Sequence, residues 1–254
     1  MELYVDYAEY YDALHDTQID LAFYREYAEQ CGAPILELAC GTGRVLIPMA
    51  EAGYEMYGID LNENMLDRCR TKVAERGLEE RVQLYLADMA AFELPRADFG
   101  LAYIPVRSFM HLNTLADQLG CMERVYACLR SGGLFIVDVY APSYRHLAME
   151  PDRPFTLRHE SRLPNGHTVK RWDRFVRNDP ALQIQHAELR FEQFDAQGTL
   201  VRERTLPLTT RYTFRYEMQL LLERAGFELV DVFRDYDRSP FDGTGEIIAV
   251  ARRP

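Results

Sequence analysis

The sequence is poor in cysteine and tryptophan, with five of the first and one of the second in 254 residues. Cys31, Cys40, Cys69, Cys121 and Cys128 are odd in number and contain no C-x-x-C spacing. That argues against a disulfide framework and against a structural zinc site, and no metal is expected. Basic residues are also short: 29 Lys and Arg stand against 40 Asp and Glu, a formal net charge of −11. A surface of that sign repels phosphate backbones, so a nucleic-acid partner is not expected. No run approaches the roughly 20 apolar residues of a membrane span. Met1–Asp6 has neither the basic region nor the apolar stretch of a signal peptide, and a reducing cytoplasm is the expected location. Internal repeats and low-complexity tracts are missing too.

What is present is a core and a loop. Hydrophobic residues make up 48% of the chain and charged ones 27%, which suits one large domain or a domain with an insertion. The organising stretch is Ile35-Leu36-Glu37-Leu38-Ala39-Cys40-Gly41-Thr42-Gly43-Arg44. Its apolar run after Pro34 reads as a buried parallel strand. Gly41 and Gly43 lack Cβ atoms where the backbone turns sharply and a ligand can lie against it. A dinucleotide fingerprint needs a third glycine at position 46, which is Leu46 here. Glu37 at the strand end favours instead a ligand that brings a positive charge or a free amine.

Taken in order, a helix is expected over 17–31 with its stop at Gly32, and strand one over 34–38. A helix over 43–52 contains Pro48 and ends at Gly53. Strand two, 54–59, ends at Asp60, 17 residues after Gly43. An acidic residue at about that distance accepts from a ribose diol, or else caps the next helix. Strands follow at 81–86 and 99–104. Asn113 or Thr114 caps a helix to Cys128 whose buried side is read as Leu115, Leu119, Met122, Val125, Tyr126 and Leu129, with Cys121 and Cys128 as packing residues. Ser131-Gly132-Gly133 turns into strand five, 134–139. Five strand–helix repeats with short connections specify an α/β fold, a Rossmann-like and mainly parallel sheet covered on both faces. The pattern then changes to alternating runs at 155–163, 169–176, 184–194 and 200–208, joined by turn residues, which reads as an antiparallel β-meander inserted after strand five. A helix over 215–225 and strands at 228–234 and 246–251 complete the sheet, the last strand antiparallel. The expected division is 1–33, then 34–141 with 212–254, then the insertion 142–211.

Glu37, Gly41-x-Gly43, Asp60 and Asp88 each fall at a strand's C-terminal end, where open α/β sheets bind ligands. The combination resembles the class I S-adenosylmethionine-dependent methyltransferases over residues 34–140 and again over 214–252. Ser108-Phe109-Met110-His111-Leu112 after strand four and Leu222-x-x-Ala225-Gly226-Phe227 are similar to bacterial small-molecule methyltransferases acting on amines, including amino-sugar N-methyltransferases. The Asn-Pro-Pro-Tyr of DNA and protein amide methylators is missing; strand four ends Ile104-Pro105-Val106-Arg107.

The resemblance implies S-adenosylmethionine as cofactor and S-adenosylhomocysteine as product. Glu37, Ala39, Gly41, Gly43, Arg44, Asp60, Leu61, Met65, Asp88, Met89 and Pro105 are the implied cofactor residues, with Asp88 accepting from the adenine amino group and Leu61 and Met65 flanking the ring. Tyr10-Tyr11-Asp12-Ala13-Leu14 is similar to the lid start of this group, which gives Tyr11 either a place facing the methyl group or a packing role on a helical face shared with Tyr4 and Tyr7. His111 is either the general base or a packing histidine. Arg107, Tyr140, Arg211 and Tyr212 are expected around the substrate, Arg107 holding an anion or else pointing to solvent. Trp172 lines a lid, a dimer contact or the meander's own packing. The expected partner is a small molecule, and the chain is expected as a monomer or homodimer. The activity implied is methyl transfer to an amine. Transfer to oxygen or RNA, or S-adenosylmethionine binding without transfer, is the alternative.

Overall fold

The computed structural model describes residues 8, 10–15 and 17–254, the side chain at 146 excepted; Tyr4 and Tyr7 lie outside the described residues. The chain forms two compact units, one of residues 1–17 with 143–211 and one of 18–142 with 212–254. The first boundary falls at 17 rather than at 33, because the helix after it packs on the sheet.

The sheet unit opens with α1 (Leu21–Cys31), which ends at Gly32 in a left-handed conformation. Its stripe of Phe23, Tyr24, Tyr27 and Ala28 is buried, and Tyr24 stacks on Tyr103 with ring centroids 4.3 Å apart. There follow β1 (Ile35–Leu38), α2 (Leu46–Glu51), β2 (Met56–Asp60), α3 (Glu63–Glu75), β3 (Val82–Leu86), β4 (Phe99–Ile104), a 3₁₀ turn (Ser108–His111), α4 (Leu115–Cys128) and β5 (Leu129–Tyr140). Helix α2 starts three residues later than expected. Pro48 therefore sits in its first turn, where the missing N–H leaves no bond unmade. Asn62 and Thr114 cap α3 and α4, accepting from Met65 N at 3.2 Å and Asp117 N at 3.1 Å. Strand β5 begins at Leu129 rather than 134, since Leu129 pairs with Phe99 and the Gly132-Gly133 turn is absorbed as an irregularity.

The buried side of α4 needs correction. It is Gln118, Cys121, Met122, Val125 and Cys128, while Leu115 is 53% exposed. Gln118 enters the core because its amide donates to Thr213 Oγ1 at 3.4 Å, a partner no helical period could announce.

The meander unit contains α5 (Tyr144–Leu147) and then β6 (Thr156–Arg162), β7 (Thr168–Asp179), β8 (Ile184–Phe194) and β9 (Leu200–Arg211). These pair in chain order, all antiparallel. Tyr10 donates to Gln193 Oε1 at 2.8 Å and stacks on Phe191 within this unit. Trp172 Nε1 donates to Glu192 at 2.8 Å, and the Arg190 guanidinium lies over its ring, so the sole tryptophan is held by its own sheet.

The chain returns to the sheet unit with α6 (Arg215–Arg224), β10 (Glu228–Phe233) and β11 (Glu246–Arg252). The seven-stranded order is β10-β11-β5-β4-β1-β2-β3. Strands β1 to β5 pair in parallel, and β11 runs antiparallel to both neighbours. Strands β1 and β4 are buried along their whole length, as central parallel strands must be. Strand order reverses between β1 and β4, so the turns after these two strands face one crevice at their C-terminal ends. Among the described residues no helix is long and apolar enough to cross a membrane.

Leu46, at the place of a third glycine, finds its room at Gly58. A Cβ on Gly58 would sit 2.5 Å from Leu46 Cδ1 and 2.8 Å from Cys40 Sγ. Gly58→Ala should therefore cost about 1–3 kcal/mol by overpacking. In the Leu46→Ala background the same change should cost about 1 kcal/mol less. Urea unfolding of the four proteins measures this, and additivity would contradict the proposed contact.

Candidate active site at the β1/β4 switch

The loop after β1 is built on an unusual backbone. Ala39, Gly41 and Gly43 all have positive φ (53°, 55° and 84°), and only glycine adopts this freely. A Cβ on Gly41 would meet nothing within 4 Å, so that side of the loop is open. A Cβ on Gly43 would lie 2.7 Å from Cys69 Sγ and 2.8 Å from Ile47 Cδ1, so Gly43 serves close packing of the following helices. Gly41 N–H donates to Asp60 Oδ2 at 2.8 Å, and Asn62 N–H to Oδ1 at 2.8 Å. Asp60 thus joins the loop after β1 to the end of β2. Each of its oxygens accepts one backbone bond and keeps a lone pair, a fit to two adjacent hydroxyls. Leu61 beside it is 51% exposed, whereas Met65 is buried within α3. Asp88, at the end of β3, is exposed and accepts from Ala90 N at 2.9 Å; Met89 is half-buried.

Glu37 lies beneath the loop at 1% exposure, and the Tyr103 hydroxyl donates to its Oε2 at 3.0 Å. Burial pushes its carboxyl up to about 8, against the lowering effect of the Tyr103 bond and of Arg44. Arg44 itself is engaged by the buried Asp20, Nη1 to Oδ1 at 2.8 Å and Nη2 to Oδ2 at 2.5 Å. Asp20 went unread in the sequence. It precedes α1 without making a side-chain cap, so no local signal distinguished it.

The turn after β4 carries the second half of the site. Pro105 is buried, and its carbonyl accepts from the Ser108 hydroxyl at 2.8 Å. His111 ends the 3₁₀ turn behind the buried Phe109 and Met110, and burial lowers its pKa below 6.5, which keeps the imidazole neutral at physiological pH. Tyr140 and Tyr212 come together in the sheet unit. Burial raises the Tyr140 hydroxyl well above 10, and Tyr212 adds to the effect. Arg107 does not present a free guanidinium. It forks onto Glu246 of β11, Nε to Oε2 at 3.0 Å and Nη2 to Oε1, while its N–H donates to Asp138 Oδ2 at 2.9 Å. Arg211 closes β9 in the meander unit and donates to Gln183 Oε1 at 2.9 Å. Tyr11 also belongs to the meander unit, stacked on His15 with centroids 4.4 Å apart. The structure thus gathers Glu37, Ala39, Gly41, Gly43, Arg44, Asp60, Pro105 and His111 around the β1/β4 switch and leaves Tyr11 and Arg211 in the other unit. Asp138 was missed although it interrupts an apolar strand, which was its signal.

Residues 35–133 match the family described as "Methyltransferase domain". The chain is an S-adenosylmethionine-dependent methyltransferase. It is 28% identical over 206 residues to the "Putative methyltransferase YqeM" of Bacillus subtilis, covering 80% of this chain and 76% of that one. Among solved structures it is similar to the CcbJ methyltransferase from Streptomyces caelestis at 26% identity and a TM-score of 0.74, over 93% and 90% of the two chains. At 22% identity and a TM-score of 0.69 it shares the fold of CalS10, an amino pentose methyltransferase from Micromonospora echinaspora solved with S-adenosylmethionine bound, over 94% and 92%.

The methyltransferase's own residues fit that cofactor. Asp60 offers acceptors alone, as a ribose diol requires, and Gly41 leaves its side of the loop clear. Glu37 is a buried carboxylate to which a ligand ammonium can restore the charge.

Glu37 also sets a pH dependence. Its ordinary value of 4.5 rises to about 8 on folding, so between these values the folded protein holds a proton that the unfolded chain has released. Stability is then highest near pH 4.5, falls as pH rises through the window, and is lowest above pH 8. Asp138, raised from 3.8 to about 7 by burial, acts in the same direction. Glu37→Gln should flatten the decline, which is on the order of a few kcal/mol, and should melt above the wild type at pH 8.5. Thermal unfolding without cofactor from pH 5 to 9 measures it; parallel curves would refute the assignment.

Proposed function

We propose that this methyltransferase modifies the nitrogen of a small-molecule amine, with His111 as the group that accepts the amine's proton. The observation that carries the reading is a neutral, half-buried imidazole on the turn after β4, at the same strand-order switch as the Asp60–Gly41 loop. The amino pentose methyltransferase among the structural neighbours supports the acceptor class. The net charge of −11 favours a small cationic or neutral substrate over a nucleic acid.

An amine in water near neutral pH is mostly an ammonium, which has no lone pair to attack with. His111 takes the proton onto a ring nitrogen, and the freed lone pair forms the new carbon–nitrogen bond. S-adenosylmethionine supplies the methyl carbon and departs as S-adenosylhomocysteine with the electron pair of the broken carbon–sulfur bond. The chain's further contribution is alignment, which can supply roughly 7–11 kcal/mol of such a barrier. Asp60 suits the nucleoside end, Gly41 leaves its side of the loop clear, and the buried Glu37 suits the ammonium of the amino-acid end. Tyr140, whose hydroxyl burial keeps protonated, and Tyr212 beside it furnish the wall on the β5 side.

Labelled S-adenosylmethionine offered with panels of amines, polyols and carbon acids tests the acceptor, and calorimetry with both cofactor forms tests binding. Transfer to amines alone is expected; transfer confined to hydroxyls or carbon would overturn it. His111→Ala should lower kcat by about 10²-fold or more while cofactor affinity changes little. In the wild type kcat should fall only on the acid side of the ordinary imidazole range, because burial lowers the pKa at which His111 becomes protonated. That acid limb should vanish in the variant, and its persistence would remove His111 from the role.

A further inference from the structure

Val106 and Arg107 follow β4 in two consecutive left-handed conformations, with φ of 56° and 61°. This region is unfavourable for any L-residue and worst for a β-branched one, so the turn does not hold itself. Two strands hold it. Arg107 N–H donates to Asp138 Oδ2 of β5 at 2.9 Å, and the Arg107 guanidinium forks onto Glu246 of β11. The register places these carboxylates together. Asp138 pairs with Ile248 and Tyr140 with Glu246, so Asp138 and Glu246 are diagonal neighbours on one sheet face.

The backbone then runs from this anchor straight into the 3₁₀ turn. Met110 N–H donates to Arg107 O at 3.0 Å, and His111 is the next residue. Asp138 holds the Arg107 amide at a cost, although the Tyr236 hydroxyl also favours its charged form. It is 1% exposed, and among the described residues its Oδ1 has no hydrogen-bond partner. Buried, half-satisfied carboxylates lower stability. A group kept at that cost, on a strained turn beside the crevice, points to a duty other than stability.

We infer that Asp138 and Glu246 form a clamp that holds the Val106–Arg107 turn in its left-handed shape and thereby sets the position of His111. Both are positioning residues, and the last strand of the sheet takes part in the site through Glu246. The consequence for catalysis rests on His111 being the proton acceptor; the clamp itself does not.

The test uses the full chain and two independent readouts, hydrogen exchange of the amides in 107–112 and steady-state kinetics. Asp138→Ala should raise exchange in that segment by about tenfold or more and lower kcat by a similar factor, with the KM for S-adenosylmethionine within about twofold. Asp138→Asn keeps an acceptor oxygen and should restore most of both. Val106→Gly placed in the Asp138→Ala chain should restore part of the protection, because glycine occupies the left-handed region without penalty. Should Asp138→Ala not fold, Glu246→Gln carries the same test with a smaller change. Unchanged exchange in 107–112, or an asparagine variant as impaired as the alanine one, would overturn the clamp. If exchange rises while His111→Ala leaves transfer intact, the clamp stands and the proton-acceptor reading falls.

Discussion

The constraint on which the site depends is that β1 has β2 on one side and β4 on the other. Chain order runs outward from β1 through β2 and β3, then crosses back to β4 and β5. Parallel strands joined by right-handed crossovers leave a gap at that reversal, because helices on the two sides cover opposite faces. The loop after β1 and the turn after β4 therefore open on the same gap, although they are more than 60 residues apart in sequence. Both loops hold backbone conformations that most residues avoid, at Ala39, Gly41 and Gly43 on one side and at Val106 and Arg107 on the other. Strain of this kind persists only where surrounding structure over-determines it. Here the determinants are carboxylates at strand ends, Asp60 for the first loop and Asp138 for the second.

Carboxylates are also where this fold departs from the best-packed choice. Glu37, Asp20 and Asp138 are all nearly fully buried in the sheet unit. One has an arginine, one a tyrosine hydroxyl, and one a backbone amide as its partner. None of the three is needed to fill volume. Burial favours the protonated form of Glu37 and of Asp138, while Asp20 is paired with Arg44. The site is thus held in a state that a cationic ligand such as the sulfonium cofactor improves.

Most of the fold was legible in the chain. The glycine loop, the cap at Thr114, and the alternation over 184–194 are local codes, and each specifies its element without reference to the rest. The errors arose where a long-range partner overrode the local signal. On helix α4 the reading of Met122, Val125, Cys121 and Cys128 holds, but Gln118 was left out of the buried side because its partner, Thr213, is 95 positions away. Arg107 read either as holding a substrate anion or as pointing to solvent, since nothing nearby in sequence matches it; its partner Glu246 is 139 residues distant.

The sequence by itself determined the class of ligand. Glu37, Gly41, Gly43 and Asp60 lie within 24 residues, and Leu46 in the third-glycine place argued against a dinucleotide. It also determined the parallel order of elements and the antiparallel insertion, because hydrophobic period and turn chemistry are properties of short segments. Only the tertiary structure decided how the charged residues are used. Whether Asp20 meets Arg44, whether Arg107 is free, and whether Asp138 is a flaw in an apolar strand or an anchor for a strained turn depend on which strand ends become neighbours. Sheet pairing settles that, and pairing is a contact between segments far apart in the chain.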